Sequence, residues 1–98
     1  MTLDINSRVV AVTSVASSDL GEEAVLMDID SGKYFVLNEV SAEIWRAIQT
    51  PCRVGALCDT LAATYAAPAE QIQASTLAFL RDLHEKRLLR EVSDDQPV

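Results

Sequence analysis

Two periodicities divide the chain. From Glu23 to Leu37 the pattern has period two, as in a half-buried strand. Val25, Met27 and Ile29 share one face, while Ala24, Leu26 and Asp28 share the other. Asp30-Ser31-Gly32 then forms a turn, with Gly32 supplying a positive φ at little steric cost. Lys33 to Leu37 returns antiparallel, so Phe35 and Leu37 face one way and Tyr34 and Val36 the other. Upstream, Arg8 to Thr13 is β-branched and short and predicts the first strand of the sheet. Ser14 to Gly21, with its serines, Asp19 and Gly21, reads as a loop.

After Asn38 the period becomes helical. Val40, Ile44, Trp45 and Ile48 form one stripe, with Asn38 or Ser41 as cap and Thr50-Pro51 as terminator. Val54, Leu57, Cys58, Leu61, Ala62 and Tyr65 recur at i, i+3, i+4, i+7, i+8 and i+11, the most regular stripe in the chain. Pro68 suits the first turn of a third helix that turns Ile72, Thr76, Phe79, Leu80 and Leu83 inward. Leu88 and Leu89 close the core. The expected fold is α+β, a three-stranded antiparallel sheet followed by three helices on one of its faces. A flexible arm (residues 1–7) and a polar tail (residues 92–98) flank a single domain of residues 8–91.

Composition narrows the function. The 98 residues carry a formal charge of −7, which disfavours nucleic acid, since phosphate binding needs a concentrated basic face. No apolar run approaches the roughly 20 residues of a membrane span, and no signal peptide is visible, so a cytoplasmic protein is expected. Cys52 and Cys58 are the two cysteines and read as reduced, buried thiols. With His84 as the single histidine, they are too few to predict a metal site. Glycines at 21, 32 and 55 make no phosphate loop, and no cofactor is implied. Nothing in the spacing pairs His84 with a cysteine nucleophile. Glu43, Asp59 and Glu70 are expected near helix N-termini, where the dipole favours them. Arg81, Lys86, Arg87 and Arg90 cluster toward the end of the third helix, either to offset its dipole or to meet acidic groups on a partner.

If the Lys33–Leu37 strand lies at a sheet edge, its unpaired backbone groups can take up another peptide as an added strand. Each main-chain hydrogen bond contributes about 0.5–1.5 kcal/mol, so selectivity needs side-chain pockets. The third helix is the element to wall them. Its core stripe has two shoulders, Ser75, Asp82 and Lys86 on one side and Gln73, Leu77 and His84 on the other. An open edge is also free to pair with a second copy of the chain as a homodimer.

The run Ser31-Gly32-Lys33-Tyr34-Phe35-Val36-Leu37-Asn38, followed by Ser41-Ala42-Glu43-Ile44-Trp45, resembles the PqqD-like family of RiPP recognition elements. Leu61, Tyr65, Phe79-Leu80, Leu83 and Leu88-Leu89 continue the likeness over roughly residues 8–91. The form of the motif is most like the stand-alone leader-binding proteins of lasso-peptide biosynthesis. The resemblance implies a winged helix-turn-helix-like fold and no catalysis by the chain itself. It implies that the leader of a ribosomally made precursor docks as an antiparallel strand and is delivered to a leader-removing cysteine protease and an ATP-dependent macrolactam cyclase. Lys33, Tyr34, Phe35, Val36 and Leu37 would pair with it; Ser75, Thr76, Phe79, Asp82 and Leu83 would wall it. The family commonly has Asp where Ser75 stands, which puts the guest on the Ser75–Asp82 shoulder rather than beside Leu77. It commonly has Gly where Arg87 stands, which implies a less abrupt helix end here.

Alternative readings are a peptide chaperone for a radical enzyme, as in pyrroloquinoline-quinone biosynthesis, and a winged-helix DNA-binding regulator. A small thiol enzyme using Cys58 is a third.

Overall fold

The computed structural model describes residues 3–92. In chain order these form β1 (Arg8–Ala11), β2 (Val15–Leu20), β3 (Glu23–Asp28), β4 (Lys33–Leu37), α1 (Glu39–Ala47), β5 (Cys52–Arg53), α2 (Val54–Tyr65), α3 (Ala69–Glu85) and β6 (Leu89–Val92). The strands make two antiparallel sheets of three, one ordered β5-β1-β6 and the other β2-β3-β4. The α+β class, the three-stranded antiparallel sheet and the three helices are as the sequence predicts.

The membership of that sheet differs. Residues 14–21, read as a loop, contain β2, paired with β3 from Val15↔Asp28 to Leu20↔Glu23. Its polar sequence VASSDL hides it, because nearly every side chain points into solvent and leaves no apolar alternation. Arg8–Ala11 instead pairs with Cys52–Arg53 and with Leu89–Val92, two short segments that carry no strand signal of their own. Nor is the N-terminal arm loose from residue 3 on. Leu3 is fully buried, Gly55 N–H donates to Ile5 C=O at 2.8 Å, and Arg81 donates to Leu3 C=O at 2.9 Å. A side chain at Gly55 would meet that Ile5 oxygen at 3.0 Å, so glycine permits the close approach. Met1, Thr2 and the tail from Ser93 lie outside the described residues.

The β3–β4 hairpin and α1 frame the site. Ala24, Leu26 and Leu37 bury their side chains on the helix side of the sheet, and Phe35 is half-buried beside them. Val36 and Tyr34 stand on the opposite face, 72% and 68% exposed. Asn38 ends the strand and caps α1, its Oδ1 accepting from Ser41 N–H at 2.9 Å. Of the carboxylates expected at helix starts, Glu70 is in the first turn of α3. The first turn of α1 holds Glu39 instead of Glu43, and that of α2 holds no acidic residue.

Helix α3 stops sharply, against the expectation drawn from Arg87. Arg87 takes a left-handed φ of 63°, its N–H donates to His84 C=O, and Leu88 N–H reaches back to Leu83 C=O at 2.9 Å. This is the hydrogen-bond pattern of a Schellman end, made here with a residue that pays about 1–2 kcal/mol for the conformation. The sharp stop lets Leu88 and Leu89 turn back into the core, where both are buried.

Candidate functional site

Strand β4 is an edge strand of its sheet among the described residues. The phase of its hydrogen bonding follows from one contact. Ile29 N–H donates to Ser14 C=O, in register with the β2–β3 ladder. Backbone direction alternates along an antiparallel strand, so Met27, Val25 and Glu23 also turn toward β2, while Asp28, Leu26 and Ala24 turn toward β4. Their partners are Lys33, Phe35 and Leu37. Tyr34 and Val36 are therefore left with N–H and C=O groups directed to the free edge.

That edge opens on a groove. A hollow of about 610 Å³ lies between β4 and α3, bounded by Tyr34 to Leu37 on one side and Phe79, Asp82, Leu83 and Lys86 on the other. Asn38, Ser41 and Phe79 join it to a second hollow of about 370 Å³, lined by Val40, Ile44, Tyr65, Ile72 and Ser75 among others. Phe35 and Lys86 join it to a third, of about 250 Å³, at the hairpin turn. The three form one trough beside the strand, mostly apolar at the α1 end and flanked by lysines at the turn.

The trough brings together Lys33, Tyr34, Phe35, Val36 and Leu37 with Ser75, Thr76, Phe79, Asp82 and Leu83. Their exposure differs. Leu37, Thr76 and Leu83 are buried, so they belong to the floor. Ser75, Asp82, Tyr34 and Val36 are exposed, and Phe79 is half-buried at the junction of two hollows. Leu77 and His84, on the other shoulder, line none of the three. Thr76 turns its hydroxyl to the Cys58 thiol across the α2–α3 interface. Glu23, Asn38, Ser41, Tyr65 and Gln71 also line the trough with no such role expected from the sequence, and Lys86 joins them from the Ser75–Asp82 shoulder. Local pattern marks Asn38 only as a cap and Tyr65 only as part of a core stripe. Their convergence depends on how α1 and α2 pack.

Charge is uneven along the trough. The Tyr65 phenol is held above its ordinary pKa by desolvation and then by Glu43, Glu39 and Glu22, with Arg46 opposing. The α1 end is thus a negative environment. At the other end Lys86 pairs with Asp82 at 2.5 Å and sits 5.9 Å from the centre of the Phe35 ring. The basic residues late in the chain do not form one patch: Arg81 ties down Leu3, Lys86 turns to Asp82, and Arg90 sits on β6. Burial raises the pKa of both thiols, Cys52 and Cys58, which suits packing and disfavours the thiolate a nucleophile needs. Among the described residues no three His, Cys, Asp or Glu gather into a metal-binding group, and no helix is long and apolar enough to cross a membrane.

Known proteins share this architecture. The family described as coenzyme PQQ synthesis protein D (PqqD) matches residues 23–89. A "PqqA binding protein" from Rhodopseudomonas palustris is 35% identical over 60 residues, which cover 61% of this chain and 59% of that relative. The match therefore spans less than two thirds of the relative's length. The solved structure of TbiB1 in complex with the TbiA(beta) leader peptide superposes with a TM-score of 0.78 at 28% identity, covering 87% of this chain and 99% of that one. With the hairpin, its open edge and the facing helix all inside the matched span, the chain belongs to the PqqD family and is a PqqD-like RiPP recognition element.

Proposed function

We propose that the chain binds the leader segment of a ribosomally synthesised precursor peptide as an extra antiparallel strand on β4, against α3. The observation that carries this reading is the pair of outward N–H and C=O sets at Tyr34 and Val36, facing a side-chain wall across the trough. Backbone bonds supply non-selective affinity; the hollows around Phe79 supply selection. The chain performs no chemistry and presents the guest to processing enzymes. The near-complete coverage of TbiB1, solved with a leader peptide, supports leader capture. The Ser31–Asn38 motif, most like that of lasso-peptide leader-binding proteins, favours a leader-removing cysteine protease and an ATP-dependent cyclase as recipients. The likeness to a PqqA binding protein supports a second recipient, a radical enzyme of the pyrroloquinoline-quinone type. DNA binding is disfavoured by the −7 charge and by the dispersal of the basic residues.

The test is an NMR titration of the labelled protein with the leader of its cognate precursor peptide. Amide shifts concentrated in residues 33–37 and along the 75–86 face of α3 are expected. Shifts absent from both, or steeply salt-dependent binding to random DNA instead, would overturn the reading.

A further inference from the structure

An antiparallel guest runs against β4, so its upstream end lies by Leu37 and its downstream end by Lys33. Directly opposed residues in a sheet point to the same face. Guest residues opposite Leu37, Phe35 and Lys33 therefore turn toward α3, at spacings of two, and those opposite Val36 and Tyr34 turn away. The side chain opposite Leu37 passes Ser41 and Phe79 toward the hollow lined by Val40, Ile44 and Ile72. The one opposite Lys33, four residues later, enters the hollow at the hairpin turn.

That hollow is bounded by Asp28, Ser31, Lys33, Phe35 and Lys86. Asp28 is already engaged: Oδ1 accepts from Asp30 N–H at 3.2 Å and Oδ2 from the Ser31 hydroxyl at 2.9 Å. The Lys33 ammonium has no ion pair among the described residues. The Lys86 ammonium is shared between Asp82 and the Phe35 ring. In a chain of charge −7, two ammonium groups thus flank a small hollow whose own carboxylate is turned into the turn. The opposite end carries Glu23 and lies near Glu39 and Glu43, which repel an anion there.

Resting on the leader-capture reading, we infer that the trough selects a peptide bearing a bulky apolar side chain opposite Leu37 and a carboxylate side chain four residues downstream, opposite Lys33. Lys33 and Lys86 are then specificity determinants that fix both the direction and the register of the guest. A guest slipped by two residues, or entered in reverse, loses its carboxylate contact or brings it to the acidic end.

Selection of a random 12-residue peptide display library on the full chain tests this. Recovered peptides should carry Asp or Glu four positions after an apolar residue. Changing that acid to its amide in a synthetic copy should weaken binding about five-fold at low salt, as for an exposed ion pair. The Lys33→Glu/Lys86→Glu protein should recover Lys or Arg at the same position. Equal recovery of neutral residues there, or an unchanged preference in the double variant, overturns the inference. If Val36→Pro still abolishes binding of those peptides, strand capture stands without it. If Val36→Pro leaves their binding intact, capture at β4 fails and the inference with it.

Discussion

The β2-β3-β4 sheet has two edges, and they serve different ends. Strand β2 is polar at its centre and exposed along nearly its whole length, a composition that discourages pairing with other chains. What crosses to it is Arg46, bonded to Asp19 at 3.1 Å and to Gly21 C=O at 3.3 Å. Strand β4 has the sequence KYFVL, higher in β-propensity, and runs beside a wall. Both edges leave backbone groups unpaired among the described residues. Only β4 couples them to a trough that can read side chains. On the proposed reading, an open edge becomes a receptor when a second element faces it across a trough and limits what can be added.

Proline substitutions separate the edges most sharply. Val36→Pro removes an outward donor from β4 without touching the β3 ladder, and is expected to weaken leader binding at least about ten-fold. Ser17→Pro removes an outward donor from β2 in the same way and should leave affinity unchanged. Fluorescence anisotropy with a labelled leader reads both. A smaller loss is expected when the wall is cut back. Phe79→Ala deletes the side chain shared by two hollows and should cost about 1 kcal/mol of binding, roughly five-fold, in the same assay. Arg87→Gly relieves the left-handed strain at the end of that wall and should raise stability by about 0.5–1 kcal/mol in urea denaturation, with binding unaltered. Least of all, Arg46→Ala releases β2 from α1. A loss of about 0.2–1 kcal/mol of stability is expected, again without effect on the leader. An equal response of affinity to Ser17→Pro and Val36→Pro would erase the distinction between the edges.

The hairpin and the helical stripes were legible because burial on one face imposes a period on the residues themselves. Leu26 and Leu37, or Leu57 and Leu61, announce their side of an element locally. Strand β2 was not legible, since its stability comes from the ladder and not from its side chains. The second sheet was hidden for a different reason. Its partners, Cys52–Arg53 and Leu89–Val92, are brought to Arg8–Ala11 by helices that intervene in sequence, and such pairing leaves no local trace. The strand side of the site could be read from its motif. On the helix side the sequence names Ser75, Thr76, Phe79, Asp82 and Leu83, all of which line the hollows, while the contributions of Asn38, Ser41 and Tyr65 emerge from packing. Arg87 shows the converse: nothing in its own side chain announces a left-handed φ of 63°, and the turn is legible only through the burial of Leu88 and Leu89 that follow it.

Trp45 gives the molecule an internal optical separation. It is the chain's single tryptophan, it lies in the core at 3% exposure, and its indole N–H has no acceptor among the described residues. Its emission should be blue-shifted in the native protein and move to the red only when the core opens. A guest arriving at the sheet border would leave that signal in place, so unfolding and capture can be followed in one cuvette as independent channels.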